Sequence, residues 1–430
     1  MENYYGRLFT QNQVPEELRD KAIKLESVSQ KGQTRICNRC ASLISKENQL
    51  PTKAYYCREC LVFGRLVSNE SLYHFPQSPF PKITSLKWSG QLTPYQEEVS
   101  QGLLKGIAEK ENLLVHSVTG AGKTEMIYQS VAKVLDDGGC VCIASPRIDV
   151  CLELYRRLSQ DFSCPITLMH GDSAPYQRAP LIIATTHQLL KFYQAFDLLI
   201  IDEVDAFPYV DNLMLYHAVD QSVKIDGVKI FLTATSTDEL DRKVRNKSLK
   251  KRHLARRFHA KPLVIPKMIW LSKISEKLAK GNLPAKLKGE IIKQRQTGFP
   301  LLIFFPNIVR GQQFAKILQT HFPKEKIAFV SSQTENRLDL VEQFRNQELT
   351  ILVTTTILER GVTFPCVDVF VIEANHRLYT RSSLVQIAGR VGRSPQRPTG
   401  LLNFYHDGIS KAMLQAKAEI KEMNQKGGFA

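Results

Sequence analysis

No apolar run in the 430-residue chain approaches the ~20 residues that a membrane-spanning helix needs. Its first ten residues, MENYYGRLFT, lack the basic-then-apolar order of a secretory leader. A spanning anchor and an export route are therefore not expected, and a cytoplasmic protein is, with a peripheral position at the inner face of the membrane compatible. Short-period repeats and low-complexity tracts are missing as well. Acidic side chains are in deficit: 42 Asp and Glu stand against 58 Lys and Arg, a formal charge of +16. An acidic or neutral partner is disfavoured by that balance, and a polyanion is favoured, nucleic acid ahead of anionic membrane. Tryptophan is scarce, at two residues, whereas cysteine is not, at nine. In a reducing compartment those cysteines are expected as thiols or metal ligands rather than disulfides, so they are read by spacing.

At this length, with 43% apolar residues, more than one core is expected. Strand-like apolar runs alternate with helix-like stretches from about 113 to 240 and again from 300 to 425, which predicts two α/β units built on parallel sheets. The strand candidates are 113–118, 140–145, 181–186, 198–202 and 228–233 in the first unit. In the second they are 301–305, 327–331, 350–354, 367–373 and 401–404. Residues 242–285 are rich in Lys and Arg and broken by Pro262, Pro266, Gly281 and Pro284, and they are read as a basic, partly helical connector. Residues 1–85 lack the alternation, hold four paired cysteines and end near FPQSPFPK, which reads as a small module with a linker.

The run Ser117-Val-Thr119-Gly120-Ala121-Gly122-Lys123-Thr124 follows a strand candidate and leads into the helical pattern TEMIYQSVAKVL, the context a phosphate-binding loop requires. Gly120 and Gly122 permit the backbone angles that aim N–H groups at phosphates, Lys123 can reach the β- and γ-phosphates, and Thr124 can hold Mg²⁺. Ser117 stands where such loops usually begin with glycine. Downstream, LLIIDEVD places Asp202 and Glu203 at the carboxyl edge of the fourth strand candidate. Asp202 would hold the metal through water, and Glu203 would polarise the attacking water. Alone, such a carboxylate pair is as well explained by a solvated helix start. Together with the phosphate loop it points to ATP hydrolysis.

Further short elements occur in a fixed order: Leu92-Thr93-Pro94-Tyr95-Gln96, Ser145-Pro146-Arg147, Thr185-Thr186-His187-Gln188, Thr233-Ala234-Thr235, Thr354-Thr355-Thr356-Ile357-Leu358-Glu359-Arg360-Gly361 and Gln386-Ile387-Ala388-Gly389-Arg390-Val391-Gly392-Arg393. This series, over roughly 90 to 405, resembles helicase superfamily 2, where the elements correspond to an adenine-reading glutamine (Gln96) and motifs Ia, Ib, III, V and VI. The resemblance implies two tandem RecA-like domains, at 86–241 and 286–430. It also implies that Arg390 and Arg393, three apart on an expected helix and so on one face, reach the γ-phosphate when the two units close. The continuation GVTFP, with Thr363 and Pro365, is similar to the primosomal helicases. More narrowly, the four-cysteine module with TGAGKTE, DEVD, TTTILERGVTFP and QIAGRVGR resembles the ComFA family, the competence ATPases of Gram-positive bacteria. That likeness implies ATP and Mg²⁺ as cofactors and single-stranded DNA as the bound polymer. It further implies a part in drawing transforming DNA through a membrane channel, beside the partner ComFC, and it permits self-association.

Cys37-x-x-Cys40 and Cys57-x-x-Cys60 have the spacing of two knuckles closing a tetrahedral Zn²⁺ site. Arg35, Arg39, Lys53 and Arg58 lie around them and would offset the charge of four thiolates. An iron–sulfur cluster is the alternative. Closed coordination leaves no place for a substrate, so the metal is expected to be structural. Cys140, Cys142, Cys151, Cys164 and Cys366 have apolar neighbours and read as core thiols. His74, His116, His170 and His187 read as structural. Trp88 and Trp270 read as packing residues, with base stacking as the alternative.

The reading that results is an ATP-dependent translocase on single-stranded DNA. Its rivals are a duplex-unwinding replication-restart helicase and a nucleotide-switched clamp that binds DNA without moving. The segment 242–261 carries ten Lys and Arg and no acidic residue, and it is expected to form a positive strip along the DNA, with a solvated connector as the bland alternative.

Overall fold

In the computed structural model, which describes residues 1–32, 34–235, 237–362 and 364–429, the uninterrupted apolar runs form the inner strands of two parallel sheets. A strand covered on both faces has no solvated side, so its sequence shows no polar alternation. Leu198, Leu199, Ile200 and Ile201, in the strand Phe196–Asp202, accordingly expose no surface. The first sheet has seven strands in the order Lys250–Leu254, Leu113–Ser117, Val223–Thr233, Phe196–Asp202, Val141–Ser145, Leu181–Thr185 and Ile166–Met169. Phe196–Asp202 pairs in parallel on both sides, Ile200 lying opposite Ile230 and Ile143. The second sheet runs Lys267–Trp270, Leu402–His406, Asp368–Val371, Leu301–Phe304, Ile351–Thr354, Ile327–Val330, all pairs parallel.

The expected architecture of two RecA-like parallel-sheet domains with an N-terminal four-cysteine cluster is thus borne out, and each strand candidate falls on an observed strand. Three further strands of the two parallel sheets escape the reading: Ile166–Met169, Lys250–Leu254 and Lys267–Trp270. Each lies at the end of a sheet, with only one paired neighbour. An edge strand is covered incompletely, so KKRHL carries no apolar run by which it could be found.

Contacts divide the chain into two compact units, Met1–His116 with Lys123–His253, and Ser117–Gly122 with Leu254–Ala430. The four-cysteine region belongs to the first. There a three-stranded antiparallel sheet orders Leu8–Thr10, Ser71–His74 and Ile23–Glu26, and the hairpin Val28–Lys31 with Thr34–Cys37 delivers the first cysteine. Helix Leu213–Ser222 of the α/β part holds this region: Gln221 Nε2 donates to the Arg39 carbonyl (2.9 Å), and the His217 ring meets the Asn38 carbonyl (3.4 Å). Leu215, Ala218 and Val219 of that helix share one apolar cluster with all four cysteines. The proline-rich stretch is also tied down, since the Arg178 guanidinium binds the Ser78 and Pro79 carbonyls and lies 3.9 Å from the Phe80 ring centre. Among the described residues, no helix is long and apolar enough to cross a membrane.

Candidate ATPase site and four-thiol centre

Strand Leu113–Ser117 ends in a loop where Gly120 and Gly122 take φ of +77° and +74°, angles that only glycine adopts without steric cost. Helix Lys123–Met126 starts directly after it. The Lys123 ammonium lies 3.2 Å from Asp202 Oδ1, at the end of the strand Phe196–Asp202, and that same oxygen accepts the Glu203 N–H at 2.9 Å. Burial pulls the Lys123 pKa down, but the charges of Asp202, Glu203 and Asp205 outweigh it and raise it overall, so the ammonium stays charged. Glu203 itself sits at φ +57°, a left-handed conformation costing about 1–2 kcal/mol for a residue with a Cβ. Strain of this kind concentrates where a side chain must be aimed. Asp205 binds the Thr235 hydroxyl, which links the DEVD turn to the Thr233-Ala234-Thr235 segment. Arg157 donates to the Thr124 hydroxyl (3.3 Å) and pairs with Glu125.

The structure therefore brings Lys123, Thr124, Asp202 and Glu203 together in the first unit. Gln96 lies in the first turn of the helix Pro94–Ala108, and its side-chain oxygen accepts from the Thr93 N–H (2.9 Å) and hydroxyl (3.0 Å). That is the second half of a capping box, so Gln96 has a structural task whether or not it reads a base. Thr119 and Ala121 are buried. The loop 117–122 groups with the second unit, where Val118 N–H donates to the Leu254 carbonyl at 3.0 Å.

In the second unit, Arg390 and Arg393 are not on a helix, contrary to the sequence expectation. Helix Arg381–Ala388 stops at Gly389, and Gly392, at φ +69°, cannot continue it. Both arginines project from the turn that follows. Arg390 is buried and donates through Nε to the Glu359 carbonyl (3.2 Å), while Arg393 Nε reaches Gly389 O (3.0 Å). Motif V is tied to the same helix, since Arg360 donates to Ser382 (2.7 Å) and Glu359 accepts from Ser383 (2.5 Å). Thr363 lies outside the described residues.

Arg257, which the sequence offers only as one charge in a basic run, proves to be a buried clasp on this turn. Its Nη1 donates to the carbonyls of Val391 (2.8 Å) and Gly392 (2.5 Å), and His259 Nε2 lies 2.9 Å from the latter. Burial, with Arg393 nearby, pushes the guanidinium down to about 9. Nothing in the sequence separates Arg257 from its basic neighbours. Arg257→Ala would take the guanidinium donor from the Val391 carbonyl and one of two partners from the Gly392 carbonyl, a loss of about 1–3 kcal/mol. Chemical denaturation should show that loss, and an unchanged unfolding midpoint would refute the clasp.

Several residues of the basic run 242–261 have partners within the fold. Lys250 pairs with Glu111 and Glu109, Lys251 with Asp241, and Arg256 donates to the Gly427 carbonyl beside the Phe429 ring. Lys250 and Lys251 thus have acidic neighbours, whereas Arg256 keeps its full charge.

Cys37, Cys40, Cys57 and Cys60 are buried, and their sulfurs all lie within 4.8 Å of one another. Cys37 to Cys60 is 3.7 Å and Cys40 to Cys57 is 3.5 Å. Zn–S bonds of about 2.3 Å at tetrahedral angles require S···S separations of about 3.8 Å, so the donor set and its spacing fit zinc. Of the surrounding cations, Arg39 is the buried one, 1% exposed, donating to the carbonyls of Phe63 (3.0 Å) and Gly64 (3.1 Å). Arg35 instead lies 3.8 Å from the Tyr55 ring centre. The other five cysteines are buried core thiols, as expected. Burial pushes Cys140 and Cys151 up to about 12, out of the reactive range.

Comparison with known proteins agrees with this geometry. Residues 93–242 match the model of the DEAD/DEAH box helicase family, and residues 283–395 match the helicase conserved C-terminal domain. The chain is 63% identical to Competence protein ComFA of Streptococcus pneumoniae, covering 99% of each chain. It is 38% identical to Competence protein ComFA of Bacillus subtilis, over 90% of this chain and 85% of that one. Among solved structures, the Mycobacterium smegmatis helicase Lhr bound to ssDNA and AMP-PNP matches at a TM-score of 0.58 and 18% identity, covering 78% of this chain and 48% of that one. That likeness is one of fold. The chain is thus a competence-related, helicase-type ATPase by its homologues and its domains, and it belongs to the ComFA family within helicase superfamily 2.

Proposed function

We propose that this protein is an ATP-driven motor that moves along single-stranded DNA and helps draw transforming DNA across the membrane during competence. The observation that carries the reading is the pairing of Lys123 with Asp202, 3.2 Å apart, with Glu203 held next to it in a strained conformation. In this reading the amides of Thr119, Gly120, Ala121 and Gly122 and the Lys123 ammonium cradle the phosphates. Thr124 and Asp202 would hold Mg²⁺, which supplies charge neutralisation at the phosphates. Glu203 orients and polarises the attacking water, Gln96 contacts adenine, and Arg390 and Arg393 stabilise the charge that develops on the transferred phosphoryl group. The Lys123–Asp202 pair is the resting arrangement that a bound nucleotide replaces. The four thiols take zinc as a structural ion, with no open position for catalysis.

The net charge of +16 supports a polyanionic track, and the Lhr structure offers a precedent for single-stranded DNA on this fold. Family membership supports work beside ComFC and the membrane DNA channel, from the cytoplasm or the inner membrane face. The reading predicts that single-stranded oligonucleotide stimulates ATP turnover severalfold at low salt and that blunt duplex does not. Turnover indifferent to single strands, or stimulated only by duplex, would refute it.

A further inference from the structure

The strand Lys267–Trp270 forms one edge of the second sheet, paired only with Leu402–His406. The register aligns Trp270 with His406, Phe304 with Val371, and Phe304 with Thr354, so all these strands end on one rim. In parallel sheets that carboxyl rim is where ligands bind. Motif V leaves the sheet there after Thr354, and Trp270 stands farther along the same rim.

Trp270 reads by type as a packing residue, yet it is 55% exposed, with the His406 ring 5.7 Å away and nearly perpendicular to it. It lines a cavity of about 500 Å³ together with Lys277, Asn282, Pro284 and Lys286. Over 267–288 the chain carries six lysines and one acidic residue, Glu276, which Lys273 meets at 3.9 Å. The Lys286 ammonium donates to the Trp270 carbonyl at 3.2 Å, which holds it beside the indole. Among the described residues, neither Lys277 nor Lys286 is in an ion pair.

A half-exposed indole is costly to leave in water, and lysines of one sign around it repel each other unless an anion is bound. A flat aromatic face flanked by ammonium groups suits a polymer that offers a base and a phosphate at each step. We infer that Trp270, Lys277 and Lys286 form a binding site for single-stranded DNA on the second unit, outside the motor motifs, in which a base stacks on the indole and adjacent phosphates meet the two lysines. The inference rests on the proposed reading of the protein as a single-strand motor, and it adds where a strand is gripped.

The test uses the full-length protein with oligo(dT). In a Trp88→Phe background, where Trp270 is the one tryptophan left, saturating oligo(dT) should quench the emission. In the wild-type background Trp270→Ala should weaken oligo(dT) binding about tenfold, and Trp270→Phe should keep most of the affinity. Lys277→Gln with Lys286→Gln should flatten the log–log salt dependence by ~0.7 for each phosphate no longer neutralised. ATPase measured without DNA should stay at the wild-type level in every variant. If the wild type binds oligo(dT) but Trp270→Ala binds equally well and Trp270 emission does not respond, the site is wrong while the motor reading stands. Such a result would leave the patch as a surface for a protein partner. If the wild type binds no single-stranded DNA, both are wrong.

Discussion

Glu203→Gln is expected to keep ATP bound while its turnover falls roughly 10²–10⁴-fold, the range typical of a lost general base. The substitution preserves the size of the side chain and leaves Asp202 and Lys123 in place, so the phosphates keep all their partners. What it removes is the negative charge proposed to polarise the attacking water. Lys123→Ala should fail differently. Its ammonium is the counter-charge to Asp202 in the resting site, so removal deprives that carboxylate, and then the bound phosphates, of this cation. Nucleotide affinity and turnover should fall together. Equilibrium binding of a fluorescent ATP analogue and steady-state turnover, measured on both variants, separate the two. Near-wild-type turnover in Glu203→Gln would mean that the DEVD carboxylates have been given the wrong task.

Cys57→Ser should cost the protein its metal and much of its folded yield. A structural zinc site of this kind contributes an apparent 10–16 kcal/mol in peptides that fold around it, roughly the whole stability of an ordinary domain or more. The effect should also spread beyond the module, because the four cysteines lie in the same apolar cluster as Leu199, Ile201 and Leu215 of the first unit. Elemental analysis should find about one zinc per wild-type chain and far less in Cys57→Ser, with a lowered unfolding temperature. Iron in the wild type, or a metal-free protein of full stability, would contradict the assignment.

The parts of this molecule that are legible in the sequence are those where one physical demand dominates. Burial on both faces writes itself as LLIID or LLIF, and a left-handed turn at a phosphate loop writes itself as Gly120 and Gly122. A cluster of four thiols spaced for a metal writes itself as two Cys-x-x-Cys pairs. Other features answer to tertiary packing and leave no local pattern. Arg257 and Lys250 look alike in the run KKRHLARR, but one is buried against the carbonyls of Val391 and Gly392, and the other pairs with Glu111 on the surface. Trp270 reads as core by its type and as surface only once its edge strand is placed. The turn holding Arg390 and Arg393 reads as helix because three-residue spacing fits one, yet Gly389 and Gly392 end it.

Sequence motifs and site geometry are shared by motors and by clamps that bind, close and hydrolyse in place, so movement itself has to be measured. Streptavidin on a biotinylated single-stranded oligonucleotide provides the block, with free biotin to trap whatever is released. The account predicts ATP-dependent displacement from one end of the strand in preference to the other, with rates that rise with ATP and vanish in Glu203→Gln. Turnover stimulated by single-stranded DNA with no displacement from either end would contradict it and identify a nucleotide-switched clamp.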